Sequence, residues 1–261
     1  MARPKGMDHF RDFFQDFKDS YVIIGGSAAA ILLEDEGLEF RATVDIDVVL
    51  LANSSKELNK KFAEYVRAGA YQTKEASEGT PRYYRFSKPG SEDFPEIIEI
   101  FAGNEAKLEL REGQYIIPVQ NDDVAKISAI LLDDEYFEIL KATSKQSSDG
   151  FSIINSIGMI CMKARAFREL SARNDEVKKI KKHRNDIVRM VQILKKTDSY
   201  PLTGTPLLDL LMVREHIRTK LSDKEIKQII GNASLNLEDV LSALERVFSL
   251  YAASGNTLSD S

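Results

Sequence analysis

Asp45 and Asp47 are separated by one residue inside an apolar run, Val44-Asp-Ile-Asp-Val-Val-Leu-Leu51. In an extended strand side chains alternate faces, so Arg41, Thr43, Asp45 and Asp47 line one side, and Ala42, Val44, Ile46 and Val48 the other. Two aspartates held side by side repel each other, and aspartate is a poor strand former. The arrangement makes chemical sense when a hard divalent cation such as Mg²⁺ sits against both carboxylates together with phosphate oxygens, as in an in-line phosphoryl displacement. Upstream lies Gly25-Gly26-Ser27, following the apolar stretch Tyr21-Val-Ile-Ile24. A strand, a glycine pair and a helix start form a place where backbone approaches a phosphate closely and helix-terminal N–H groups point at the anion. Ser27 serves there as a helix cap, a phosphate contact, or both. The chain has no G-x-x-x-x-G-K-[ST] and no G-x-G-x-x-G, which removes the usual support for ATPase and dinucleotide readings.

The elements that must position these residues follow from periodicity. Phe10, Phe13, Phe14 and Phe17 fall at helical spacing and predict a helix from Met7 to Phe17. Tyr21 to Ile24 is a strand, Ala28 to Leu33 a helix, Val44 to Leu51 a second strand, and Ser54 or Ser55 opens a helix through Val66. Further strands are expected at Arg82 to Phe86, Glu96 to Phe101 and Tyr115 to Val119. The fold class is therefore α/β (α+β), a sheet of about five strands with flanking helices, followed by a mainly helical domain. After Pro118 strand signals stop. A helix capped by Asn121 or Asp122 carries Val124, Ile127, Ile130 and Leu131, and Phe151 to Leu170 and Glu176 to Leu194 are longer helical patterns. Helices are also expected at Pro206 to Leu221, Asp223 to Ile230 and Leu237 to Tyr251. The expected organisation is a first domain over 1–120, a helical domain over 121–253 with Thr143 to Gly150 as a flexible connection, and a polar tail over 254–261.

Composition agrees with a globular chain. Of 261 residues, 43% are hydrophobic and 30% charged, outside the disordered and fibrous ranges. A net charge of −5 argues against a surface that binds nucleic acid everywhere. A local basic cluster, Lys178, Lys179, Lys181, Lys182 and Arg184, remains within that acidic chain. Such a run is most often solvated helix, and would carry phosphates if the acceptor is RNA. The stretch Tyr21 to Leu33, broken by Gly25 and Gly26, is shorter than the roughly 20 residues of a membrane span, and the N-terminus has no apolar leader. One cysteine, Cys161, excludes an intrachain disulfide and suits a reducing, cytoplasmic location. Cys161 reads as a small buried hydrophobe, and His9, His183 and His216 have no sequence neighbours that suggest a metal.

Gly25-Gly26-Ser27 followed by Arg41-x-Thr43-x-Asp45-x-Asp47 resembles the signature of the nucleotidyltransferase superfamily, in which a Gly-Gly or Gly-Ser turn precedes an Asp-x-Asp strand. Within it the chain is most similar to the AbiEii-like nucleotidyltransferases, toxins of type IV toxin–antitoxin and abortive-infection systems. Lys163-Ala-Arg-Ala-Phe-Arg168 resembles that family's lysine-bearing helix, Lys181-Lys-His-Arg-Asn-Asp186 its later basic helix with a functional aspartate, and Leu131-Leu-Asp-Asp-Glu-Tyr136 a segment before the helical half. The resemblance implies a nucleotidyltransferase-like mixed sheet, Mg²⁺ or Mn²⁺ as cofactor and a nucleoside triphosphate as substrate. It also implies a third carboxylate on a later strand. Glu99 in Ile97-Ile-Glu-Ile-Phe101 takes that place, with Glu96 after Pro95 as its competitor, and glutamate rather than aspartate shifts the ligand by one methylene.

In that scheme Asp45 and Asp47 bind two ions, and Glu99 completes the site and helps deprotonate the acceptor hydroxyl. Gly25, Gly26 and Ser27 hold the triphosphate, and Arg41 and Thr43 either touch nucleotide or form a solvated face. Lys163 and Lys182 neutralise charge on the leaving pyrophosphate, while the helical half closes over the nucleotide. The implied acceptor is tRNA or a protein hydroxyl, and the implied biology is growth arrest or phage defence with a cognate antitoxin. Plainer readings stand beside these. Lys163 among Ile160, Met162, Ala164 and Phe167 can simply snorkel, and Lys182 and Asp186, four apart, can be a surface pair. The same row continues to Met190 and Ile193, which argues that this face becomes buried. A non-catalytic relative that binds nucleotide or RNA would keep the same turn. A small-molecule transferase acting on an aminoglycoside would need an acidic acceptor pocket instead of the basic cluster.

Overall fold

The computed structural model describes residues 3–51, 56–73, 83–102, 109–111, 114–115, 134–173, 175–231 and 235–250. The chain divides into two compact units, Met1–Asn155 and Ser156–Ser261.

In the first unit, α1 (Met7–Phe13) leads through a 3-10 turn at Gln15–Phe17 into β1 (Tyr21–Ile24), so the expected single helix to Phe17 breaks at Phe14. All four residues of β1 are buried, as an unbroken apolar run requires of a strand covered on both faces. Then follow α2 (Gly25–Asp35), β2 (Asp45–Leu50), α3 (Lys56–Ala68), β3 (Gln72–Thr73), β4 (Tyr83–Ser87) and β5 (Ile97–Ala102). A separate ribbon is formed by β6 (Glu109–Arg111) and β7 (Gln114–Tyr115). The expected strand at Tyr115 to Val119 is described only at Tyr115, and the expected helix after Asn121 and the tail 254–261 lie outside the described residues. The unit ends with α4 (Asp134–Thr143), β8 (Ser144–Gln146) and β9 (Ser152–Ile154).

The main sheet has seven strands in the order β3-β4-β5-β2-β1-β9-β8. It is mixed: β2 runs antiparallel to β1 and parallel to β5, and β9 runs parallel to β1. The fold class is the expected mixed α/β sheet followed by helices, with more strands than the expected five. The added pair, β8 and β9, corrects two expectations. Phe151 to Ile154 is not the start of a helix, and Thr143 to Gly150 is not a flexible connection. Ser147 and Gly150, the latter at φ 83°, close a tight turn in which the Ser147 hydroxyl accepts from the Phe151 N–H at 2.9 Å. Ser152 donates its hydroxyl to the Lys18 carbonyl, and Ile153 stands beside Ile23. A short buried run without alternation reads equally as helix or strand, and this one is settled by its partner strand. Because β9 belongs to this sheet, the compact unit extends to Asn155, past the boundary expected near residue 120.

Cross-strand partners share a face. Tyr21 pairs with Leu50 and Ile23 with Val48, while Ile24 pairs with Asp47 on the opposite face. The Tyr21 face carries an aromatic cluster from α1 and α3: Phe10 lies edge-on to Tyr21 at 5.7 Å, and Phe14 packs on Phe62 at 4.3 Å. His9 joins it through the Tyr65 hydroxyl at 3.1 Å and the Phe94 ring at 4.4 Å. Such ring pairs add about 0.5–1.5 kcal/mol each beyond the area they bury. The cluster anchors the sheet from one side and leaves the other to the aspartates. Helix α2 is buried from Gly26 to Leu33, as an all-round apolar helix must be.

The second unit is helical: α5 (Ser156–Ala172), α6 (Val177–Val191), α7 (Gly204–Lys220), α8 (Asp223–Ile230) and α9 (Leu237–Phe248). The last two start with capping boxes, Ser222 with Glu225 and Asn236 with Asp239, and α8 stops at Gly231 in the left-handed region. Helix α5 packs along α6 and α7, and α9 packs on α7 and α6. Cys161 is buried on α5, where desolvation pushes its thiol up to about 12. Among the described residues no helix is long and apolar enough to cross a membrane.

His216 on α7 meets Phe167 edge-on at 5.0 Å. Burial first, and then the cations Arg184, Lys220 and Lys181, hold its pKa below the usual 6.5. The unfolded chain therefore takes up a proton that the folded imidazole refuses, and stability is lost as pH falls through 6.5. Thermal melts at pH 7.5 and 5.5 should show a smaller drop in Tm for His216→Leu than for the native chain.

Candidate functional site

Asp47 is the centre of a row built by register. On β2 it stands beside Ile24 of β1 on one side and Glu99 of β5 on the other, and Glu99 stands beside Arg85 of β4. Asp45 precedes Asp47 on the same face of β2. Asp45, Asp47 and Glu99 each offer a carboxylate oxygen, and these oxygens lie within 4.8 Å of one another. Asp47 and Glu99 are buried. Glu99 thus stands with the two aspartates, and Glu96, exposed before the strand begins, does not join the group.

The neighbours of this group are specific. Because Ile24 is level with Asp47, the chain turns into α2 directly against that carboxylate. Gly25 has φ 67°, and a Cβ on it would fall 1.8 Å from Asp47 Oδ2. A Cβ on Gly26 would come within 2.8 Å of Thr43 Oγ1. The glycine pair is therefore required by the aspartate strand itself, which ties the two sequence motifs into one structure. Gly25→Ala should cost at least about 1–2 kcal/mol from the left-handed backbone alone, with more from the overlap. Gly26→Ala should cost less, and urea unfolding of the two variants checks the order.

Ser27 is not the cap of its helix. Helix α2 begins at Gly25 with Ile24 as its N-cap and no side-chain cap. Ser27 is buried and donates its hydroxyl to the Asp45 carbonyl, so it fastens α2 to the start of β2. Thr43 donates to Asp45 Oδ1 at 2.8 Å and fixes that carboxylate. Residues 41–43 are not strand, yet Thr43 stays buried and the Arg41 guanidinium lies over the Phe40 ring at 4.9 Å.

Arg85 is the residue that sequence reasoning missed. Its Nη1 lies 2.7 Å from Glu99 Oε1, with Glu99 nearly buried. An arginine in a short strand carries no signal by itself; only the antiparallel register of β4 and β5 places it there.

The carboxylates fit a hard divalent ion. Their ligand atoms converge, all are oxygens, and two belong to buried residues, where clustered anions are costly without a cation among them. An all-oxygen donor set of this kind suits Mg²⁺ or Mn²⁺.

Lys163, Lys182 and Asp186 belong to the second unit. Lys163 Nζ on α5 lies 3.0 Å from Asp186 Oδ2 on α6, and Arg189 Nη1 lies 3.2 Å from Asp186 Oδ1. Both Lys163 and Asp186 are buried, and Lys182 is exposed one turn earlier on α6. The structure brings Lys163 and Asp186 together as a pair that the sequence did not connect. A second buried carboxylate, Asp209 on α7, receives Arg165 at 3.5 Å and Arg168 at 2.5 Å. Of the basic cluster, Lys178, Lys181 and Lys182 are exposed, Lys179 lies near Asp175 at 3.7 Å, and Arg184 is buried, its pKa lowered by desolvation.

No protein-family model matches the chain, and no curated protein matches it. Among solved structures it is similar to an antigenic nucleotidyltransferase-like protein from Paracoccidioides brasiliensis, at 13% identity over 94% of each chain with a TM-score of 0.46. It is similar also to the Megavirus polyadenylate synthase, at 9% identity over 84% of this chain and 44% of that one with a TM-score of 0.33. The Cid1 poly(U) polymerase is 11% identical over 97% of this chain and 87% of that one, with a TM-score of 0.29.

Proposed function

We propose that this chain is a divalent-metal-dependent nucleotidyltransferase that moves a nucleoside monophosphate from a triphosphate to a macromolecular hydroxyl, on tRNA or protein. Its role is that of a toxin in a toxin–antitoxin or phage-defence system, held in check by a cognate antitoxin. The observation that supports this reading is the convergence of Asp45, Asp47 and Glu99 within 4.8 Å at a glycine turn that opens a helix. Asp45 and Asp47 hold Mg²⁺ or Mn²⁺, with Glu99 beside them. Bound there, the ion neutralises charge on the reacting phosphates and lowers the pKa of the attacking hydroxyl. Gly25 and Gly26 let the N–H groups at the start of α2 lie beside the carboxylates, where an anionic phosphate is favoured on one side by the helix end and on the other by the cation. Thr43 and Ser27 keep Asp45 and the entry of β2 in place, so the ligands are pre-set before substrate arrives.

The test is transfer of label from each α-³²P-labelled nucleoside triphosphate, with Mg²⁺, to total cellular RNA and to total protein. Label is expected in one of the two fractions, with one nucleotide strongly preferred. No label in either fraction, from protein that still binds nucleotide, would overturn the macromolecular acceptor and turn attention to a small-molecule acceptor or a non-catalytic binder. Expression in growing cells should arrest growth, and Asp45→Asn should relieve the arrest.

A further inference from the structure

The described residues include two buried cations, Lys163 and Arg184. Lys163 is paired with Asp186, as a buried charge is expected to be. Arg184, on α6 and only 6% exposed, forms no ion pair among the described residues: its Nε and Nη2 donate to the neutral Oδ1 of Asn185 at 3.1 and 2.8 Å. Arginine does not escape the cost of burial by losing its proton, so the second unit holds a desolvated positive charge that it does not itself balance.

The neighbourhood adds to that charge. Lys181 is exposed one turn earlier on α6, and on α7 His216 and the exposed Lys220 lie four apart on one face. The Phe167 ring of α5 holds His216 at 5.0 Å, and the imidazole Nδ1 is buried without a hydrogen-bond partner. After burial itself, Arg184, Lys220 and Lys181 are what lower the pKa of His216, so the four groups share one spot. Helix α8 packs on α6 and brings Glu225 to the rim, an exposed carboxylate whose Oε2 already accepts the Ser222 N–H and hydroxyl at 2.8 Å each. The missing partner is an anion rich in acceptor oxygens, and a phosphate matches the arginine fork. Exposed Lys178, Lys181 and Lys182 carry positive charge on along α6, in a chain of net charge −5. Such a row suits linked phosphates better than a single free one.

We infer that Arg184, with Lys181 and Lys220 at the rim and His216 beside it, is an anion site of the second unit that takes a backbone phosphate of RNA. The inference rests on the macromolecular-acceptor reading above and narrows it to RNA.

The experiment measures binding of a short 5′-labelled single-stranded RNA to the full chain by fluorescence anisotropy. It is done in EDTA, so that metal at the carboxylates of the first unit takes no part. Inorganic phosphate and poly-glutamate serve as competitors, and thermal melts compare phosphate with chloride at equal ionic strength. The native chain should bind RNA with an affinity that falls as salt rises. Arg184→Met should weaken RNA about tenfold or more, as should Lys181→Ala with Lys220→Ala, since each removes charged hydrogen-bond donors to the phosphate. Lys195→Ala with Lys196→Ala removes the same charge beyond the end of α6 and should leave affinity unchanged. In chloride Arg184→Met should melt no lower than the native chain, because an unbalanced buried charge is gone, and only the native chain should gain Tm in phosphate. A merely structural Arg184 would instead lower Tm in both salts. RNA affinity unchanged in Arg184→Met and in the Lys181, Lys220 pair would overturn the site, and the lysine pair, whose side chains are exposed, decides alone if Arg184→Met does not fold. Phosphate that raises the native Tm without RNA binding would overturn RNA as the source of the anion, and poly-glutamate competing as well as RNA would replace it by an acidic protein. Nucleotidyl transfer is read separately, with Mg²⁺: label reaching protein alone would overturn this inference and leave transfer standing.

Discussion

Under the proposed function, replacing Asp47 by Asn should lower nucleotidyl transfer by about 10²–10³-fold, on the scale of removing one designed electrostatic contact to the reacting group, and should leave the melting temperature unchanged or higher. The two readouts move in opposite directions for one reason. Asp47 is buried beside Asp45 and Glu99, with ligand oxygens within 4.8 Å, so its charge is repelled by these two carboxylates in the metal-free protein. Asparagine keeps the shape and removes the repulsion. In the loaded protein the lost charge weakens the hold on the cation and exposes the phosphates to uncompensated repulsion. A carboxylate present only for folding would behave otherwise, with Tm falling and transfer per folded molecule intact. Steady-state transfer and a thermal melt on the same preparation separate the two cases. Asp45→Asn should follow the same pattern with a small additional loss of stability, because it also weakens the hydrogen bond from Thr43.

What was legible in the sequence was what two residues of the same strand can reveal. Alternation placed Asp45 and Asp47 on one face, and the glycine pair marked a strand-to-helix turn, because those signals are local. Glu99 came from the resemblance together with the apolar residues at 98 and 100, which showed that its strand has an apolar back. Register was not legible. Arg85 and Lys163 are chemically ordinary in sequence, and each gains its meaning from a partner on another element, Glu99 and Asp186 respectively. The same limit explains β9: Ser152 to Ile154 is a strand because Ile153 finds Ile23, far away in the chain. Of the two roles open to Ser27, the cap follows from its residue type alone, but α2 begins two residues sooner and the hydroxyl goes to the Asp45 carbonyl. The link between the glycine turn and the aspartates was read as a matter of phosphate binding. Geometry adds a steric reason, the absent Cβ at Gly25 against Asp47.

Asp186→Ala is expected to destabilise the second unit by about 3–5 kcal/mol, the usual result of removing one partner of a buried ion pair. Asp186 is fully buried, forms an ion pair with Lys163 and accepts from Arg189, and the Lys163 side chain is only 8% exposed, so the deletion strands an ammonium group away from water. Lys163→Met should cost less, because Asp186 keeps Arg189. Replacing both, Lys163→Met with Asp186→Leu, should return most of the stability, since an apolar pair of similar volume avoids the desolvation that both charges suffer. Transfer decides what the pair is for. The resemblance gives Lys163 and Asp186 parts in the reaction, and a buried ion pair is an inefficient way to gain stability, so the doubly replaced chain should fold well and transfer little. Urea unfolding of the four chains gives the coupling energy between the two positions, and label transfer at saturating triphosphate gives the rest. Recovery of stability together with activity would make the pair a packing device of α5 and α6. Recovery of stability alone would mean that the charges are kept, against their own cost, for the chemistry.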